Sequence, residues 1–263
     1  MQRIRLNIHG EGLIEVHGTP DARRVIIVLS RENFARDEEL IARLIAHFAG
    51  RDATVMRYES RKVETTRLIS HPAFERLPGP LPRLMRAVRL LGHPGRWRHF
   101  LPRYRVEADS ISHRAQALRE LIAGIGPGRE VFLLARSASA RVATLVADEV
   151  PVNRVICLGY PFRHPEKDPE PDRYEHLARV RAPVLILQGN RDEYGGREIE
   201  GKYALGPQMR IEWLETDHGF GLSGAEWERM LGLMEAFLFD GTASGQGARA
   251  GPLGGGSIST AAG

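Results

Sequence analysis

Apolar residues recur along the chain with two different periods, and the switching between them predicts the element order. Two short period-2 runs come first, over residues 3–8 and 13–17, separated by His9-Gly10-Glu11-Gly12. Alternation on both sides of a glycine-bearing turn predicts an antiparallel hairpin. Next, Arg24-Val25-Ile26-Ile27-Val28-Leu29 is an unbroken β-branched run, as expected of a strand buried on both faces. Leu40, Ile41, Leu44, Ile45 and Phe48 then fall on one helical stripe that Gly50 is placed to end, and residues 53–58 read as a strand. A second helical stripe, Leu81, Leu84, Met85, Val88 and Leu91, is followed by Gly92-His93-Pro94. Asp109 and Ser110 precede a helix carrying Ile111, Ala115, Leu118, Leu121 and Ile122 and closed by Gly124. Strands are predicted over 131–135, 154–158, 184–187 and 210–214, with helices over 140–150 and near 197–204. A last helix carries Trp227, Met230, Leu231, Met234, Phe237 and Leu238 behind the capping box Ser223-x-x-Glu226.

Strands alternating with helices predict an α/β chain with a doubly wound, mainly parallel sheet preceded by an antiparallel hairpin. Residues 1–239 are expected to form one domain. Residues 240–263, with eight glycines and few large apolar side chains, read as a disordered Gly-rich tail. No apolar run is long enough to span a bilayer, and the start of the chain has no signal-peptide pattern, so a cytoplasmic protein with no membrane partner is expected. One cysteine, Cys157, allows neither an internal disulfide nor a Cys-based zinc cluster; it reads as a small core residue on its strand, and neither metal nor cofactor is expected.

Charge alters this picture in one place. Lys+Arg number 37 against 33 Asp+Glu, a net of +4, and only Lys62, Lys167 and Lys202 are lysines. Between Arg67 and Arg105 lie nine arginines and one acid, Glu75; the rest of the chain holds 28 cations against 32 anions. Positive charge therefore belongs to one segment, 67–105, read as an Arg-rich helical cap inserted at the edge of the sheet. Its Arg83, Arg86 and Arg89 are candidates for recognising an anionic acyl group or phosphate, or an acidic protein partner. A solvated face on an arginine-biased protein is the plainer reading. Trp97, Phe100 and Tyr104 among the arginines match no nucleic-acid module, so no nucleic-acid partner is expected.

Three residues each stand just past a predicted strand. Ser137 lies where strand 131–135 meets a helix, in Ala135-Arg136-Ser137-Ala138-Ser139. A nucleophile elbow needs this strand–turn–helix setting, with small residues two before and two after the serine. Ordinary helix N-capping by Ser137 or Ser139 is the alternative. Asp192 follows strand 184–187 in a glycine-bounded loop, where an acid can orient a histidine or simply close an Asx turn. His218 follows the last strand, with Gly219 beside it; Glu215 and Asp217 are rival acids, too close in sequence to reach back to its ring. The chain order Ser, Asp, His is that of α/β-hydrolases among the serine-hydrolase orders.

The stretch from Arg136 to Ala143 resembles the G-R-S-M-G-G-R-V-A elbow of the KANL3/Tex30-like α/β-hydrolases, a branch related to dienelactone hydrolases. Leu158-Gly159-Tyr160-Pro161-Phe162 is similar to the L-x-Y-P-L segment of that branch, and the run from Leu187 to Gly195 to F-V-Q-G-x-R-D-x-F-G. Thr216-Asp217-His218-Gly219-Phe220 is similar to G-D-H-S-F. Ala135 and Ser139 stand where glycine is usual, and Ser30-Arg31-Glu32-Asn33 where His-Gly is usual. The resemblance implies an α/β-hydrolase fold and a cofactor-free serine hydrolase acting on a small-molecule carboxylic ester or related acyl substrate. In it Ser137 would be nucleophile, His218 base and acid, and Asp192 the orienting carboxylate, with an oxyanion hole from the backbone N–H groups of Ala138 and Arg31. The competing expectation is a non-catalytic protein of this fold that binds a partner or anionic ligand through the cap.

Overall fold

All eight predicted strands form, and they join one sheet. A computed structural model of the 263-residue chain describes residues 2–6, 12–30, 37–60, 68–69, 71–94, 97 and 111–239. The strands are β1 (Gln2–Leu6), β2 (Gly12–Gly18), β3 (Arg24–Leu29), β4 (Ala53–Ser60), β5 (Glu130–Arg136), β6 (Arg154–Leu158), β7 (Val184–Gly189) and β8 (Met209–Leu214). Their order is β1-β2-β4-β3-β5-β6-β7-β8. The first pair is the expected antiparallel hairpin, and β2 also runs antiparallel to β4; every later pairing is parallel.

Unbroken apolar runs form strands here because each strand supplies both faces of the sheet. Ile26 and Val28 of β3 point to the side covered by α1 (Glu38–Ala49) and by the C-terminal helix Gly224–Phe239. Val25, Ile27 and Leu29 point to the side covered by the helices Ile111–Ala123 and Ala138–Val146. The same split continues through Phe132 and Leu134 against Leu133 and Ala135 in β5. With each such side chain stabilising by about 1.5–3 kcal/mol on burial, two full layers fix the sheet's register.

Between β4 and helix Ile111–Ala123 lie two described helices. In chain order the helices become α2 (Pro72–Glu75), α3 (Leu81–Leu91), α4 (Ile111–Ala123), α5 (Ala138–Val146) and α6 (Gly224–Phe239). The nitrogen Nδ1 of His71 accepts from the N–H of Ala73 and caps α2. The amphipathic stripe of α3 forms as expected and ends at Gly92, but none of its residues is buried. Among the described residues, every exposed large hydrophobic side chain lies between Leu68 and Trp97.

Three local expectations change. The helix expected over 140–150 is α5, which begins directly after Ser137 and stops at Val146. Pro151 disfavours helical geometry at Val150, and the Asp148 carboxylate turns aside to accept the N–H groups of Arg181 and Ala182. Near 197–204 only a 3₁₀ turn forms, over Arg197–Ile199. The capping box at α6 is half made: Ser223 Oγ accepts from Glu226 N–H, while the Glu226 carboxylate accepts from Glu215 N–H. Arg31, the arginines at 67, 96, 98, 103 and 105, Phe100, Tyr104, the predicted caps Asp109 and Ser110, and the Gly-rich tail at 240–263 lie outside the described residues.

Candidate active site

β5 ends at Arg136 and α5 starts at Ala138, so one residue, Ser137, makes the whole turn. It does so with φ 53° and ψ −122°, a region that costs a non-glycine residue about 1–3 kcal/mol. Positive φ falls on the serine itself and not on Ala135 or Ser139, so those positions need small size and not glycine's freedom. Ala135 is fully buried, between Leu29 of β3 and Cys157 of β6. Cys157 is fully buried, and burial pushes its thiol far above the usual range, so it stays a neutral core residue. Although Ser137 occupies the N-cap position, its side chain makes no capping bond. Its Oγ lies 2.9 Å from Nε2 of His218.

His218 is 4% exposed and stands on the loop after β8. Its Nδ1 is 2.8 Å from Oδ2 and 3.0 Å from Oδ1 of Asp192, which is 2% exposed on the loop after β7. Asp192 also accepts the amide of Gln188 at 3.0 Å and the N–H of Tyr194 at 2.8 Å. An acceptor so surrounded makes Nδ1 the donor and leaves Nε2 free to accept the serine proton. Both alternatives read for Asp192 in the sequence thus hold at once: it closes an Asx turn and faces the histidine. The two loops are stitched together by Asn190 N–H to Leu214 O and Arg191 N–H to Thr216 O.

The rival acids are engaged elsewhere. Asp217 accepts from Gly219 N–H, and Glu215 pairs with Arg191 at 3.3 Å. Ser139 does not cap α5 either: its hydroxyl donates to Ser30 O at 2.8 Å and accepts from Arg114 at 2.6 Å, tying the end of β3 to the elbow. As the first residue of α5, Ala138 offers a backbone N–H with no acceptor inside the helix, beside the serine. Arg83, Arg86 and Arg89 stand on α3, where Arg89 stacks over the Phe74 ring at 5.0 Å. Among the described residues, no cluster of three His, Cys, Asp or Glu side chains could hold a metal ion, and no helix is long and apolar enough to cross a membrane.

Sequence reading missed three neighbours of this constellation. Gln188, fully buried at the end of β7, accepts Tyr160 N–H and shares its amide hydrogens among Asp192 Oδ2, Gly195 O and Tyr160 O. A polar residue closing the run Val184-Leu185-Ile186-Leu187 was the available signal. Tyr194 sets its ring 4.4 Å from that of His218. Arg136, next to Ser137, has a fully buried side chain. Gly159 lies against it at φ 61°: a Cβ there would sit 2.6 Å from Arg136 Nη1 and 3.3 Å from Asp192 Oδ2.

Comparison with known proteins agrees with this fold. The family model of the alpha/beta hydrolase domain matches residues 103–235, just over half of the chain, and the protein belongs to that family. Similar solved structures include a predicted CIB-like hydrolase from Thermoplasma acidophilum, with TM-score 0.57, 13% identity, and 90% of this chain and 97% of that chain covered. A proline iminopeptidase from Mycobacterium smegmatis gives TM-score 0.56 and 13% identity, covering 92% and 100%. A serine hydrolase without lid from Xanthomonas campestris gives 0.50 and 16%, covering 86% of each chain.

Proposed function

We propose that this α/β-hydrolase is a cofactor-free serine hydrolase that cleaves a small-molecule carboxylic ester or related acyl substrate through an acyl-enzyme. One observation carries the reading. A serine at an N-cap position, on a strained backbone, gives its hydroxyl to a histidine and not to the helix. In this mechanism Ser137 Oγ attacks the acyl carbon while His218 Nε2 takes its proton and returns it to the departing oxygen. Water then attacks the acyl-enzyme by the same relay, releasing the acid and restoring Ser137. Asp192 holds the Nδ1 tautomer and stabilises the imidazolium. The N–H of Ala138, with that of Arg31, receives the charge that develops on the acyl oxygen. Arg83, Arg86 and Arg89 are assigned to the recognition of an anionic acyl group, and the elbow motif resembles that of the branch related to dienelactone hydrolases.

The test is labelling of the purified protein with a fluorophosphonate probe, beside Ser137→Ala. Labelling of the wild type alone is expected. An unlabelled wild type, or equal labelling of both, overturns the assignment.

A further inference from the structure

We propose that Arg136 is a positioning residue: its buried guanidinium fixes the distance between the elbow and the His218 loop. The inference rests on the hydrolase reading above for its meaning, but on separate atoms for its geometry. Nη1 donates to Leu158 O at 3.0 Å, and Leu158 O also accepts the N–H of Ser137 at 3.0 Å. One carbonyl at the end of β6 therefore holds both the guanidinium and the serine's backbone. On the other side Nη2 donates to His218 O. Arg136 is one peptide bond from Ser137, and the carbonyl it grips belongs to the residue whose ring faces Ser137 Oγ. The guanidinium thus spans the same gap as the Ser137–His218 contact, by a parallel route through the backbone.

Its surroundings leave it little freedom. The guanidinium lies 4.6 Å from the centre of the Phe220 ring, and Phe220 itself is held at φ 57° two residues after the histidine. Nε is 3.6 Å from Asp37 Oδ1, with both side chains fully excluded from water. Asp37 directly precedes α1, whereas Ser30, directly after β3, is held by Ser139. Residues on both sides of Ser137 therefore hold the two ends of the segment that joins β3 to α1. A lysine cannot replace this planar fork, because one ammonium cannot reach Leu158 O, His218 O and Asp37 with the same geometry.

Two variants test this, Arg136→Met and Arg136→Lys, with two readouts on full-length protein: the rate of fluorophosphonate labelling of the folded fraction, and the NMR signal of the His218 Nδ1 proton, assigned through His218→Ala. Displacing a reacting group by about an ångström costs up to about 100-fold in rate, so labelling is expected to fall about 10- to 100-fold in Arg136→Met and less in Arg136→Lys. The Nδ1 proton signal is expected to shift or broaden in both. Folded variants with unchanged signal and unchanged labelling overturn the proposal. Failure of both variants to fold also overturns it, since Arg136 would then serve the scaffold alone. If the wild type takes no label, the hydrolase reading fails while the Nδ1 signal still decides whether Arg136 positions His218.

Discussion

Around Ser137 charged and polar side chains lie inside the molecule; along α3 apolar ones lie outside it. Arg136 and Gln188 are 0% exposed, whereas Leu84, Val88 and Leu91 are 57%, 53% and 65% exposed. Both arrangements reverse the usual placement, for different reasons. The buried polar groups are held because hydrogen bonds are directional: Gln188 finds acceptors on three residues, and Arg136 on two carbonyls, with the Asp37 carboxylate as an ion pair 3.6 Å from its Nε. The apolar face of α3 is set by helical periodicity, which dictates that the helix forms but not what it lies against. A polar network encodes a place in the fold, whereas an amphipathic stripe encodes only a shape.

The strongest way to break this contrast is inside the network. Asp192→Asn puts an amide donor opposite Nδ1 and favours the wrong tautomer of His218; fluorophosphonate labelling is expected to slow by about 10⁴-fold, read as a second-order rate constant. Next comes the core beneath the site. Leu133→Ala, at a fully buried position of β5, is expected to cost about 2–5 kcal/mol in urea denaturation. Gln188→Leu leaves Tyr160 N–H without its acceptor and should cost about 1–3 kcal/mol in the same measurement.

A gentler probe is acid. His176 Nε2 sits 2.9 Å from Thr144 Oγ1, and burial, aided by the Arg141 guanidinium, holds its pKa at about 4 against an ordinary 6.5. The unfolded chain therefore binds a proton that the folded protein refuses. Stability from this site is complete above pH 6.5 and declines as pH falls toward 4. In His176→Gln, the loss of Tm between those two pH values should be smaller than in the wild type. The smallest effect sharpens the contrast from its other end. Leu84→Ala on α3 should change stability by no more than about 0.5 kcal/mol, and a loss like that of Leu133→Ala would show that α3 is covered.

Period and punctuation made most of the sheet legible in the sequence, because each strand's apolar run is dictated by the two layers that cover it. The strand-end positions of Ser137, Asp192 and His218 were legible for the same reason: a chain that leaves a parallel strand must emerge at the carboxyl edge. Arg136 was not. Read locally it is a charged residue closing the run 131–135, and its acceptors lie 22 and 82 residues further along the chain. The end of α5 was missed because Asp148 is drawn off by backbone N–H groups 33 and 34 residues away. The capping box misled in part, since Glu226 found a second donor at Glu215. Competition from distant partners defeats local signals in each case.

The long sequence separations around Ser137 tie the site to the assembly of the whole sheet. Ser137 is set by contacts that reach from Asp37 to His218, and contacts of such sequence separation form only as the whole sheet assembles. A growing chain that has not yet reached His218 carries a serine without the ring its hydroxyl meets in the fold. On the proposed hydrolase reading, labelling at Ser137 is expected only once the sheet has assembled, and during refolding the probe should report that step.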